Sequence, residues 1–186
     1  MNETNLLKKL QEISKNMMAD GKTYHDVAHI MNVYKNVERL LKYESGNRIV
    51  LLTAALFHDV KRGTKNHGTS GAIFVKKLLT SIPEFPPNLI EPVIKIIEAH
   101  DKKQRTKEAK LFSDADTMDA FNNLGIIRSF MMYAKEGFSL EKAGNDYIKL
   151  VDRFYNELHT ETAKKLVDKD YRKFKTFAKD LIRHYN

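Results

Sequence analysis

A histidine and an aspartate, His58 and Asp59, close LLTAALFHD, part of the most apolar stretch of the chain, in which Ile49 to Phe57 is interrupted only by Thr53. An imidazole or carboxylate buried without a partner is costly, so an ionised aspartate at the end of a core helix needs one. A cation is the simplest partner; the alternative is a carboxylate that orients a structural histidine through a hydrogen bond. His25 and His29, in TYHDVAHIMNV, are spaced i,i+4 and project from one face of a helix. Ile30, Val33 and Val37 turn the His29 side of that helix toward a core. The segment LFSDADTMDAF holds Asp114, Asp116 and Asp119 among Leu111, Phe112, Ala115, Met118, Ala120 and Phe121. Aspartate disfavours helix interiors, so three of them in an apolar segment invite a cation or a basic partner. The alternative is that Asp114 caps the helix while the other two face solvent.

Five of the 7 histidines, at positions 25, 29, 58, 67 and 100, fall between residues 25 and 100, whereas His159 and His184 sit in charged C-terminal segments and are expected at the surface. Cysteine is absent. That excludes a disulfide framework, a thiolate zinc site, an iron–sulfur cluster and a cysteine nucleophile, so any metal must be held by nitrogen and oxygen. Histidine with aspartate suits Mn, Fe, Co, Ni or Zn better than calcium, which prefers all-oxygen cages.

The elements that must position these side chains read as helices throughout. Only 8 glycines and 4 prolines punctuate 186 residues, and apolar side chains recur at three- and four-residue spacing between them. The pattern predicts helices over about 5–18, from about Thr23 to Leu40, from Arg48 to Val60 and from Thr69 or Ser70 to Leu79. Further helices are expected over 88–100, from about Lys107, over 140–158 and over 161–184. The fold class is all-α. Without repeats, linkers or shifts in composition, residues 1–186 read as a single domain, a helical bundle.

No apolar run approaches the roughly 20 residues that span a bilayer, and the N-terminus lacks a compact apolar core with a small-residue cleavage site, so a cytoplasmic protein is expected. A formal net charge of +8 favours an anionic ligand. Nucleic acid is disfavoured as that ligand, because the charge is thinly spread and no aromatic-interleaved basic motif or helix-turn-helix pattern is present.

The order His29, then His58-Asp59, then Asp116, on helices of a cysteine-free α domain, resembles the HD superfamily of metal-dependent phosphohydrolases, in particular its small bacterial stand-alone members. HDVAHIMNV resembles that family's first ligand helix, LLTAALFHDV its namesake helix, HGTSGAIF the segment that follows, and DADTMDAFNNLGIIRSF its closing aspartate helix. The motif-bearing core covers about 20–130, and the helices of about 139–184 are similar to the family's C-terminal pair. The resemblance implies that His29, His58, Asp59 and Asp116 ligate one divalent ion, a transition metal or Mg, with a second metal possible. It places His25, His67 and His100 against the same cleft, contacting phosphate or assisting a second metal, and gives Asp119 and Arg128 a supporting role. It implies hydrolysis of a phosphate ester or anhydride, with a nucleotide the expected substrate and Asp59, or a histidine of the cleft, taking the proton from water as the catalytic group.

One departure matters. Some nucleotidase members carry an acidic residue three positions after the HD aspartate, where this chain has Arg62; Lys61 and Arg62 are therefore expected to anchor phosphate. The adjacent His-His pair of the tandem cyclic-dinucleotide phosphodiesterases is also missing. The rival readings are a di-iron oxygenase on the same scaffold, with His67 and His100 serving the second iron, and a basic nucleic-acid-binding module.

Overall fold

The computed structural model describes residues 2–18, 26–100, 102 and 104–184, in which helices are joined by turns and loops with no strand among the described residues. The expected helix start near Thr23 lies outside them. The chain divides into two compact units, residues 1–116 and 117–186.

In the first unit, α1 (Glu3–Met18) buries Leu6, Leu7, Leu10 and Ser14. Helix α2 (Val27–Leu40) starts where the Asp26 side chain accepts a hydrogen bond from the His29 N–H, satisfying one of the helix's open donors. Its inner face carries His29, Ile30, Val33, Asn36, Val37 and Leu40. Helix α3 (Arg48–Phe57), capped by Asn47, is buried from Val50 to Phe57, as its nearly uniform apolar sequence requires. It packs against α1, α2 and α5 and is the axis of the unit.

Helix α3 is shorter than the sequence predicts. It ends at Phe57, and residues 58–63 continue as tight turns through Val60 N–H to Phe57 C=O, Arg62 N–H to Asp59 C=O and Thr64 N–H to Lys61 C=O bonds. Such i→i+3 bonds tighten the chain after a helix and release it toward Gly63, whose φ of 91° only glycine adopts freely. Helix α4 (His67–Thr80) begins earlier than expected: Asn66, left-handed at φ 57°, takes the cap position without a side-chain cap bond, instead of Thr69 or Ser70. Helix α5 (Pro87–Ala99) opens with a proline at its first position, where no N–H is missed. Helix α6 (Lys107–Thr117) completes the unit.

In the second unit a 3-10 turn (Met118–Ala120) leads to α7 (Asn123–Lys135), α8 (Leu140–Glu157) and α9 (Glu161–Arg183). Asn122, Ser139 and Thr160 cap the three helices in turn. Helices α8 and α9 pack along each other through Ala143, Gly144, Tyr147, Val151, Ala163, Val167, Phe174 and Ala178. Gly125 lets α7 rest on the preceding turn, since an added Cβ would stand 2.4 Å from the Ala120 carbonyl oxygen. His159 and His184 are exposed, as expected.

Candidate metal centre

Three helices of the first unit deliver the four expected donors to one place. His29 stands in the first turn of α2, His58 and Asp59 follow the last turn of α3, and Asp116 lies in the last turn of α6. His29, His58 and Asp59 are buried, while the Asp116 side chain is 28% exposed. His29 Nε2 lies 3.2 Å from His58 Nε2, 3.7 Å from Asp59 Oδ2 and 3.3 Å from Asp116 Oδ1. His58 Nε2 lies 3.6 Å from Asp59 Oδ2 and 3.8 Å from Asp116 Oδ1.

These separations bear on whether the residues fit a metal. Ligand atoms held about 2.0–2.3 Å from one ion stand roughly 3–4 Å from one another, and every separation above falls in that range. The histidine tautomer agrees. His58 Nδ1 is 3.1 Å from the Ala55 carbonyl, which can only accept, so Nδ1 carries the proton and the Nε2 lone pair faces the other donors. Burial, ahead of the opposing pull of Asp59, holds the His58 pKa below its ordinary value and keeps the ring neutral. His29, His58 and Asp59 form a group able to hold an ion, and the donor set fits a divalent transition metal.

His100, at the C-terminal end of α5, brings Nε2 to 3.6 Å from Asp59 Oδ1. Burial, with the neighbouring His58 as the next cause, lowers its pKa to about 4. His67 opens α4 with its ring centroid 4.9 Å from that of His100. Phe112 packs edge-on against the rings of both His58 and His100, walling the site on its apolar side. Arg62 donates from Nη1 to Asp59 Oδ1 at 3.2 Å, and Lys61 Nζ sits 4.5 Å from the centroid of the Phe74 ring. His25 lies outside the described residues.

The reading in which Asp114 caps a helix and its neighbours face solvent is overturned. Asp114 is buried within α6, and Asp119 is buried in the second unit, where Asn122 donates to its Oδ1 and Arg128 to its Oδ2.

Three polar side chains that the sequence reading left out tie the helix ends beneath the donors. Ser14 of α1 donates to the Leu56 carbonyl at 2.7 Å, two residues before His58. Asn36 of α2 donates from Nδ2 to the Ala115 carbonyl at 3.0 Å, one residue before Asp116, while Arg39 donates to its Oδ1 and so fixes the amide's orientation. Gln104 donates to the carbonyls of Ala99 and His100. Each carbonyl lies in the last turn of a helix or, for His100, at its C-cap, where no intrahelical donor remains. Asn36 stands seven residues after His29 and shares its face of α2, a periodic signal readable in the sequence.

The chain belongs to the HD-domain family, whose model matches residues 26–120. Over nearly its whole length the chain is similar to YpgQ of Bacillus subtilis, an uncharacterised protein, at 21% identity across 97% of this chain and 94% of that one. Its fold matches the crystal structure of YpgQ in complex with ADP at a TM-score of 0.83, with 22% identity and coverage of 99% and 97% of the two chains. An HD-superfamily hydrolase of Bacillus thuringiensis matches at a TM-score of 0.78, with 22% identity over 100% and 99%.

Proposed function

We propose that this chain is a metal-dependent phosphohydrolase of the cytoplasm that cleaves a phosphate ester or anhydride of a nucleotide. The observation that carries the reading is the convergence of His29, His58, Asp59 and Asp116 at ion-ligand spacing. These four would hold a divalent ion, of the Mn, Fe, Co, Ni, Zn or Mg class, which when bound lowers the pKa of water from 15.7 to about 7 and polarises a phosphoryl oxygen. The ADP bound by the similar YpgQ supports a nucleotide as the substrate class.

The helix directions support a centre with a cationic and an anionic side. Helices α3, α5 and α6 end at the donors and turn the negative ends of their dipoles toward a cation. Helix α4 begins at His67 without a side-chain cap bond, and its first N–H groups, with Lys61 and Arg62, suit phosphate oxygens. His67 and His25 are assigned to the same phosphate-facing role. Asp59 is the catalytic carboxylate that orients and deprotonates the attacking water; His100, uncharged at neutral pH, is a second acceptor within 3.6 Å of it.

The test is a metal-supplemented screen of the purified chain over nucleoside mono-, di- and triphosphates and cyclic nucleotides, reading phosphate and pyrophosphate separately. Turnover of one class, abolished by chelation, is expected; inactivity on all of them with every metal overturns the proposal. The di-iron oxygenase reading draws on the second donor group of Asp59, His67 and His100. Hydrolysis sustained under strict exclusion of oxygen removes it.

A further inference from the structure

The Asp59 carboxylate is shared between two clusters. Its Oδ2 faces His29 and His58, at 3.7 and 3.6 Å from their Nε2 atoms, while its Oδ1 faces His100 Nε2 at 3.6 Å. Asp59, His67 and His100 each offer one donor atom within 4.8 Å of the others. By residue type that group could take a second ion bridged through Asp59, in the manner of two-metal sites with ions about 3.5–4 Å apart. Yet the same Oδ1 receives the Arg62 guanidinium at 3.2 Å.

This contact is built into the backbone. The Arg62 N–H bonds the Asp59 carbonyl at 2.8 Å, closing a turn that returns the Arg62 side chain to the carboxylate three residues earlier. The Asp59 side chain is inaccessible, whereas that of Arg62 is 37% exposed, so the guanidinium lies over Oδ1 from the open side of the site. A divalent ion bound by His67, His100 and Oδ1 would face a permanent positive charge on the same carboxylate oxygen.

Resting on the function proposed above, we infer that Arg62 stands in for a second metal ion, so that the centre takes one divalent ion per chain. The substitution preserves what a second cation contributes to phosphoryl transfer. One guanidinium N–H neutralises the bridging carboxylate, and the remaining N–H groups are available to a phosphoryl oxygen. It also removes what a second redox metal would contribute. A centre with one ion and one arginine cannot run chemistry that needs a pair of irons, which makes this arginine the residue that commits the scaffold to hydrolysis.

The experiment is metal stoichiometry, independent of activity. The chelator-stripped full-length chain is loaded with excess Mn²⁺, desalted and measured by elemental analysis, with isothermal titration counting the sites. Wild type is expected to hold one Mn per chain and to show a mononuclear Mn(II) paramagnetic resonance signal. Arg62→Met, which keeps the aliphatic stem and removes the charge, is expected to hold two, with exchange coupling between them. Arg62→Lys should restore the count to one, and Arg62→Met combined with His100→Ala should also return it to one. Two ions in wild type, or one in Arg62→Met with its helical circular dichroism intact, overturns the inference while leaving the metal centre standing. No ion in wild type overturns the metal centre itself, and the inference with it.

Discussion

Protonation of the buried histidines ties the stability of the first unit to pH. His100 has its pKa lowered to about 4 from an ordinary 6.5, and burial lowers that of His58 as well. Between those limits the unfolded chain binds more protons than the folded one, so stability rises with pH, is full above about 6.5 and is lost as pH falls toward 4. For His100 alone the loss is on the order of 3 kcal/mol at 1.36 kcal/mol per unit. Thermal denaturation of the metal-free chain should therefore show a melting temperature that drops between pH 7 and pH 4.5, with a shallower drop in His100→Asn; a flat profile over that window would contradict the assignment. Asp59 meets a stricter test, because His29, His58, His100 and Arg62 all face its two oxygens. Asp59→Ala should abolish Mn²⁺ binding in a calorimetric titration, whereas His159→Ala, at an exposed position between α8 and α9, should bind as wild type does. Equal effects would put the centre elsewhere.

At the scale of elements, the donors are fixed by how helix ends are tied. The last four carbonyls of α3 illustrate it: Ala54 accepts from the His58 N–H, Ala55 from His58 Nδ1, Leu56 from Ser14 and Phe57 from the Val60 N–H. Asn36 does the same service for α6. Its replacement by leucine, similar in size but unable to donate, should leave the buried Ala115 carbonyl unsatisfied at a cost of about 1–3 kcal/mol. It should also weaken Mn²⁺ binding by about 10–100-fold, as the loss of such supporting contacts does elsewhere. Titration calorimetry alongside thermal denaturation separates the two effects, and destabilisation with unchanged metal affinity would make Asn36 merely structural. The helices other than α7, their order and the candidate set His29, His58, Asp59 and Asp116 were legible, because apolar periodicity sets the inner faces and acids or imidazoles on those faces stand out; α7 was not set apart from the segment beginning near Lys107, because the 3-10 turn at 118–120 that divides them leaves no break in the apolar pattern. Ser14 and Asn36 were not legible either, because their partners lie 42 and 79 residues away and only the packing of α1 on α3 and of α2 near α6 reveals which carbonyl each meets. The early end of α3 and the early start of α4 depend likewise on turn bonds and on Asn66 adopting a left-handed conformation, neither of which a hydrophobic pattern records.

For the whole molecule, metal binding and folding are linked, since the donors come together only when α2, α3 and α6 are packed. At a Mn²⁺ concentration 100 times its dissociation constant the folded chain gains about 2.7 kcal/mol. Differential scanning calorimetry should accordingly show a melting temperature that climbs with Mn²⁺ and falls back on chelation, and an unmoved transition would deny the linkage. Among the described residues no helix is long and apolar enough to cross a membrane, and the net charge of +8 draws anions toward the surface. All of this depends on a single ion being held where four side chains meet. The most direct measurement is X-ray diffraction from crystals grown with MnCl2, recorded at the manganese absorption edge. One anomalous peak per chain is expected, about 2.0–2.3 Å from donor atoms of His29, His58, Asp59 and Asp116. A peak coordinated by other residues, or none at this site in crystals saturated with Mn²⁺, would contradict it.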